Sequence, residues 1–119
     1  MYFATNTIVV APKILPFSRQ TSSLQHGERI TLTCTIAKGD LPINIIWQKD
    51  ETALIKNSFS NDDSIDVISF DEYNSILKIE ELDVHHIGNY SCLASNSAGT
   101  AIHYQMIHVN GKNIFVVYL

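Results

Sequence analysis

The chain reads as an all-β sandwich of two antiparallel sheets joined by one disulfide, and three observations predict it. In the stretch 29–37, Ile30, Leu32, Cys34 and Ile36 alternate with Thr31, Thr33 and Thr35, a period of two that puts the apolar set on one face of a strand. In the stretch 88–99, Tyr90, Cys92 and Ala94 alternate in the same way with Asn89, Ser91 and Leu93. Cys92 needs a partner, and the only other cysteine, Cys34, lies 58 positions earlier on the first of these strands. The single tryptophan, Trp47, follows Cys34 by 13 residues, and Tyr90 stands two residues before Cys92.

Cysteine, tryptophan, tyrosine and cysteine in that order are the signature of an immunoglobulin sandwich. The pattern Leu77-x-Ile79-x-x-Leu82 followed by Gly88-x-Tyr90-x-Cys92-x-Ala94-x-Asn96-x-x-Gly99 resembles the I-set class of that fold, common in neural adhesion receptors. A narrower resemblance rests on Ala11-Pro-Lys-Ile-Leu-Pro-Phe17, Lys38-Gly-Asp-Leu-Pro42, Ser75-Ile-Leu-Lys-Ile79 and His86-x-Gly88-Asn-Tyr-Ser-Cys92. Together these are similar to the alternatively spliced immunoglobulin domains of arthropod Down syndrome cell adhesion molecules, particularly the seventh domain and its counterpart in the shortened chelicerate receptors. His86 departs from the general I-set pattern, which has an aspartate holding the turn, and agrees with the narrower group. The resemblance covers residues 11 to 110 and implies recognition of an identical copy on an opposing cell, as in neuronal self-recognition and axon guidance.

Taken in order, residues 1–10 and 111–119 are read as flanks outside a domain spanning 11–110, translated from intron on either side of one exon. Neither flank has the form of a signal peptide, and the apolar end of the tail is too short to cross a bilayer, which needs about 20 residues. Pro12 and Pro16 confine the first strand to an edge, because proline donates nothing to a ladder. Gly27 turns the chain into the Cys34 strand, and Lys38 to Pro42 turns it out toward the Trp47 strand. The polar stretch from Asp50 to Asp63 holds one apolar island, Ala53 to Ile55, which predicts a brief edge strand and a mobile loop. Ser64 to Phe70 and Asn74 to Glu80 form a hairpin about Asp71 to Asn74. Glu81 to Ile87 crosses to the other sheet, and Thr100 to Val109 closes it.

Composition narrows the function. With 119 residues, 45% apolar and 17% charged, the chain is one ordinary globular domain. Its net charge is −4, and the eight basic residues are scattered singly, so the clustered basic face that nucleic acid demands is missing. Ten of the twelve acids fall between Asp50 and Asp83, which makes one half of the domain acidic. The placement of Cys34 and Cys92 on strands either side of Trp47 predicts a bridge, worth about 4 kcal/mol in the chain-entropy picture, and hence an oxidising compartment. The sequon Asn89-Tyr90-Ser91 points the same way and makes Asn89 a glycosylation candidate.

No catalytic, cofactor or metal site is read from the sequence. His85, His86, His103 and His108 lack converging zinc spacing, and they read as a turn residue plus exposed histidines. Asp62, Asp63, Asp66, Asp71 and Glu72 lack the ligand repeat and glycine of a calcium loop and read as a solvated face. There is no nucleophile elbow, phosphate loop or free cysteine, so neither an enzyme nor a small-molecule substrate is expected. Trp47, Tyr90, Leu77 and Ile79 are core residues, the tyrosine capping a corner by a hydrogen bond to backbone.

Function is therefore expected on an outer face or the end loops. On the sheet of Trp47 and Cys92 the outward positions are Asn44, Ile46, Gln48, Asn89, Ser91 and Leu93, with a sugar on Asn89 in the middle of that surface. On the other sheet, Ile65, Val67, Ile68 and Phe70 cannot all face inward on a regular strand. With Ile65 and Val67 in the core, Ile68 and Phe70 join Thr33 and Ile76 as a partly apolar patch with Lys78 at its edge; a bulge that buries them is the alternative. The expected partner is an identical copy of the protein on an opposing cell, met at the extracellular face of the plasma membrane through a larger receptor. Membrane attachment comes only through a receptor segment absent from this chain. Other readings are an immune-type receptor domain that binds a different partner through its loops, and an intracellular structural domain with reduced cysteines.

Overall fold

The computed structural model describes residues 8–17, 24–55 and 63–110. These form two four-stranded antiparallel sheets. One contains β1 (Lys13–Ile14), β2 (Ile30–Lys38), β5 (Ile65–Asp71) and β6 (Asn74–Ile79) in the order β1-β2-β6-β5. The other contains β3 (Asn44–Lys49), β4 (Thr52–Ala53), β7 (Gly88–Asn96) and β8 (Gly99–Ile107) in the order β4-β3-β7-β8. A parallel bridge from Gln25 to Asn110 ties the N-terminal part of the chain to the end of the second sheet. The two-sheet class read from the sequence is the one observed. The short β1, flanked by Pro12 and Pro16, lies at an edge, and β4 is the brief edge strand of the apolar island. The expected mobile loop after it falls largely outside the described residues.

The core lies between the sheets. Ile30, Leu32, Cys34 and Ile36 of β2, Leu77 and Ile79 of β6, Trp47 of β3, and Tyr90, Cys92 and Ala94 of β7 all face inward and are buried. Cys34 and Cys92 are bridged, with Cα atoms 6.3 Å apart. Trp47 lies directly across the ladder from Cys92, and Ser75 directly across from Cys34, so indole and bridge occupy one level of the sandwich. The indole Nε1–H donates to Ser75 Oγ at 2.8 Å, which links the sheets a second time. Phe17, following Pro16, stacks on Trp47 with centroids 5.7 Å apart and meets His103 edge-on at 4.6 Å.

His103 is thus half-buried on the inner side of β8, which corrects the reading of it as exposed; Phe17 supplies an aromatic partner that strand periodicity does not reveal. His108 is exposed.

Two glycines sit at close approaches, and at the first of them backbone leaves no room for a side chain. Gly39 has φ +137°, and a Cβ there would lie 2.9 Å from Pro12 Cα. A Cβ on Gly88 would lie 2.7 Å from Asp50 Oδ2, because the Asp50-Glu51 turn between β3 and β4 folds onto the start of β7. Both turn residues have positive φ, 48° and 69°. That two-residue geometry suits the twist of a hairpin but is unfavourable without glycine. It is held by two bonds to Asn89: Asp50 N–H donates to its carbonyl at 2.8 Å, and its N–H donates to Asp50 Oδ1 at 2.9 Å.

The crossing between sheets contains a short 3-10 turn, Val84–His86, capped by Asp83. Asp83 Oδ1 accepts from Val84 N–H at 2.7 Å, and that bond, then nearby His26 and His85, holds the Asp83 carboxyl below the usual aspartate range. In return Asp83 N–H donates to His86 Nδ1 at 2.9 Å, completing a capping box with histidine at the place of the usual glutamate or glutamine. With Nδ1 accepting, the neutral ring keeps its proton on Nε2, which reaches Ser64 Oγ at 2.6 Å. Tyr90 O–H donates to His86 carbonyl at 2.7 Å, so the buried tyrosine fastens this turn to β7.

Removing these contacts should show in the stability of variants. Trp47→Ala, which empties the space beside the bridge, should cost about 3–5 kcal/mol, and Ser75→Ala, which strands the indole N–H, about 1–3 kcal/mol, both read by urea unfolding. His86→Ala should lower the unfolding midpoint further than His86→Gln, because glutamine at this position can still accept the Asp83 N–H. Equal losses in the two variants would mean that volume, not the capping bond, sets the role of His86.

Candidate functional site

The two outer faces differ in chemistry. On the first, β2, β6 and β5 align Thr33, Ile76 and Ile68 as one cross-strand row. Thr31, Lys78 and Asp66 form the next row. Thr35, Asn74 and Asp71 form a third, in which Thr35 Oγ1 donates to Asn74 Oδ1 at 2.8 Å and Asn74 Nδ2 to Asp71 Oδ1 at 2.9 Å. The bond from Asn74, then that from Tyr73 N–H, holds the Asp71 carboxyl below its ordinary value. The pairing of β5 with β6 skips between Ser69 and Asp71, so Phe70 is the extra residue of a bulge. That bulge does not bury it: Phe70 is 71% exposed and Ile68 38%, while Ile65 and Val67 pack on the core. Lys78 Nζ pairs with Glu80 at 2.9 Å, and this bond is the main reason the Glu80 carboxyl is lowered. The structure thus brings Thr33, Ile68, Phe70, Ile76 and Lys78 onto one surface.

On the second face, β3, β7 and β8 align Ile46, Leu93 and Ile102 in a row, with Gln48, Ser91 and Tyr104 next to it. Asn44, Ser95 and Thr100 lie on one side of these rows, and Asn89 and Met106 on the other. No outward position on these three strands is charged. Ser91 points to this face but is only 6% exposed, because its short side chain lies between Gln48 and Tyr104. Asn89 is half-buried at the start of β7, beyond the last outward row that β3 shares, and not in the middle of the surface as the strand pattern had suggested.

Reasoning from the sequence missed Ile102, Tyr104 and Met106 on this face, and it left Asn96 as a motif letter. Asn96 Oδ1 accepts from Ala98 and Gly99 N–H at 2.8 and 3.3 Å. Its Nδ2 donates to the carbonyls of Val10 and Asp40 at 2.8 and 2.9 Å, fastening the turn after β7 to the N-terminal segment. The alternation of β8 was the available signal, but its phase depends on pairing with β7.

Among the described residues, no three His, Cys, Asp or Glu side chains gather as a metal ion would need. Asp62 lies outside those residues. The closest titratable group joins His26, Asp83 and His85 at 3.3 and 3.7 Å, where the aspartate already serves as a helix cap. No helix among the described residues is long and apolar enough to cross a membrane.

The immunoglobulin domain family profile matches residues 11–96. Cell adhesion molecule Dscam1 of Drosophila melanogaster is 30% identical over 103 residues, 87% of this chain. Cell adhesion molecule DSCAM of Homo sapiens is 36% identical over 111 residues, 93% of this chain. The chain spans only 5% of the length of each of these relatives. The crystal structure of the Dscam1 Ig7 domain, isoform 5, superposes with a TM-score of 0.77 at 29% identity, over 84% of this chain and 97% of that one. The chain belongs to the immunoglobulin domain family, among domains of the Down syndrome cell adhesion molecule type.

Proposed function

We propose that this domain is an extracellular adhesion module, without catalytic activity, that binds an identical copy on an opposing cell. The outer face of β2, β6 and β5 is the contact in this reading. The carrying observation is Phe70, an aromatic side chain left 71% exposed by a bulge, beside the Thr33–Ile76–Ile68 row. Aromatic side chains are characteristic anchors of protein interfaces. The relatives are by name cell adhesion molecules, and the Cys34–Cys92 bridge suits the oxidising side of the plasma membrane. Self-recognition of neurites and axon guidance are the processes such a module serves. The contact is two-fold, so each altered residue enters it twice. Lys78 sits at the rim, where its pairing with Glu80 keeps the charges balanced within each copy.

Beads carrying the domain should aggregate with like beads, and Phe70→Asp should abolish this without changing the melting temperature. Val84→Asp, at an exposed position in the crossing turn, should leave it unchanged. Lys78→Glu should weaken binding to itself more than binding to the parent, which supplies only half of the new repulsion. Adhesion that survives Phe70→Asp would refute this face.

Asn89 is, in the same reading, a glycosylation site bordering the opposite face. Mass spectrometry of protein from a secretory host should find a glycan there, and Asn89→Gln should leave bead aggregation intact. Aggregation that appears only in Asn89→Gln would refute the proposed face and move the adhesive contact to the outer side of β3, β7 and β8.

A further inference from the structure

His86 is 0% exposed, and imidazole is the side chain whose ordinary titration falls near physiological pH. Its polar groups hold the crossing turn at four points. Nδ1 accepts from Asp83 N–H at 2.9 Å, Nε2 lies 2.6 Å from Ser64 Oγ, the His86 N–H donates to the Asp83 carbonyl at 2.9 Å, and the His86 carbonyl accepts from Tyr90 O–H at 2.7 Å. Only the bond at Nδ1 requires that the ring be neutral. An imidazolium carries a hydrogen on both nitrogens, so it would turn N–H toward N–H across the 2.9 Å that now separates Asp83 N from Nδ1. A glutamine oxygen, which fills this place in the usual capping box, accepts whatever the pH. Histidine makes the box conditional.

We propose that His86 is an acid-sensitive latch, which keeps the crossing turn closed at neutral pH and releases it in mild acid because the folded box has no place for the ring's second proton. Titratable and charged groups reach this corner from several elements: Asp83 and His85 in the turn, Tyr90 on β7, His26 before β2 and Lys49 on β3. The His85 ring lies against that of His86 with centroids 4.0 Å apart, and Lys49 Nζ donates to the His85 carbonyl. His26 Nε2 and His85 Nδ1 approach the Asp83 carboxylate at 3.3 and 3.7 Å, so in their protonated forms they add positive charge beside His86. On the β5 side the neighbour is the Ser64 hydroxyl, while Asp66 lies across from Lys78 on the outer face. The sign follows. An unfolded chain takes up a proton on residue 86 as pH falls through about 6.5 and the closed turn does not, so stability is full above that value and declines below it. Asp83, whose carboxyl is held low, contributes stability that is lost only below about pH 3.9 and is not what mild acid removes. What loosens is one end of the sandwich. Leu82 N–H donates to the Glu28 carbonyl and Gly27 N–H to the Leu82 carbonyl, both at 2.8 Å, and next to them His26 N–H reaches the Asn110 carbonyl. The latch does not depend on which outer face is the adhesive contact.

Urea unfolding of the full chain at about pH 8 and about pH 5.5 tests this, with His86→Gln as the control that keeps an acceptor for Asp83 N–H but does not titrate. At about pH 5.5 an unfolded imidazole is about ten parts protonated to one neutral. Acidification should therefore raise the unfolding constant of the parent about tenfold more than that of His86→Gln, the other histidines being common to both. The same pH dependence in the two chains overturns the latch. NMR of the unaltered chain gives a second readout that stands even where the glutamine variant fails to fold. Ring nitrogen shifts at about pH 8 should place the His86 proton on Nε2, and the Asp83 amide should lose about tenfold of its protection against exchange by about pH 5.5. A ring with its proton on Nδ1 refutes the proposal. So does a folded His86 that becomes imidazolium while the Asp83 amide stays equally protected.

Discussion

The two sheets are pinned at one level by a covalent bond and a hydrogen bond side by side. The Cys34–Cys92 bridge joins β2 to β7, and the Trp47 indole reaches from β3 to Ser75 on β6. Each partner of the hydrogen bond is the ladder neighbour of a bridged cysteine. The buried indole N–H needs an acceptor, and in an apolar core only a side chain such as Ser75 can supply one. A hydroxyl that would be costly alone and an N–H that would be costly alone satisfy one another. Phe17 then closes the open edge by stacking on the same indole.

That pin settles which side of β2, β3, β6 and β7 is inner, and two outer faces remain. They remain differently. The outer face of β2, β6 and β5 mixes threonines, aliphatics and paired charges, with an aromatic thrown outward by a bulge. The outer face of β3, β7 and β8 is uncharged and apolar along its middle. Since alternate residues on a strand serve opposite faces, the inner requirements of β8 decide its outer surface too. Accepting Ala101, His103 and Gln105 inside leaves Ile102, Tyr104 and Met106 outside.

The turns are braced by side chains as well as by backbone. Asp50 holds a turn of two positive-φ residues against β7, Asn96 ties the β7–β8 turn to Val10 and Asp40, and the Asp83–His86 box is fastened by Tyr90. These polar side chains thereby position the ends of the strands, which lets the middles of both faces carry apolar groups without loss of register.

What the sequence by itself determined was everything carried by local period and by rare residues. Strict alternation named the inner set of β2, the single tryptophan and two cysteines located the pin, and Asp71 to Asn74 marked the hairpin. The surplus of apolar residues from Ile65 to Phe70 required some to face outward. Tertiary structure decided whatever depends on which strand lies beside which. Ser75 as the partner of Trp47, Phe17 as a core aromatic, His103 against it and the shielding of Ser91 each join residues far apart in the chain. The phase of β8 is the sharpest case. Its own alternation favours one face, but a strand's phase belongs to the pair, and Asn96 and the ladder with β7 chose the other.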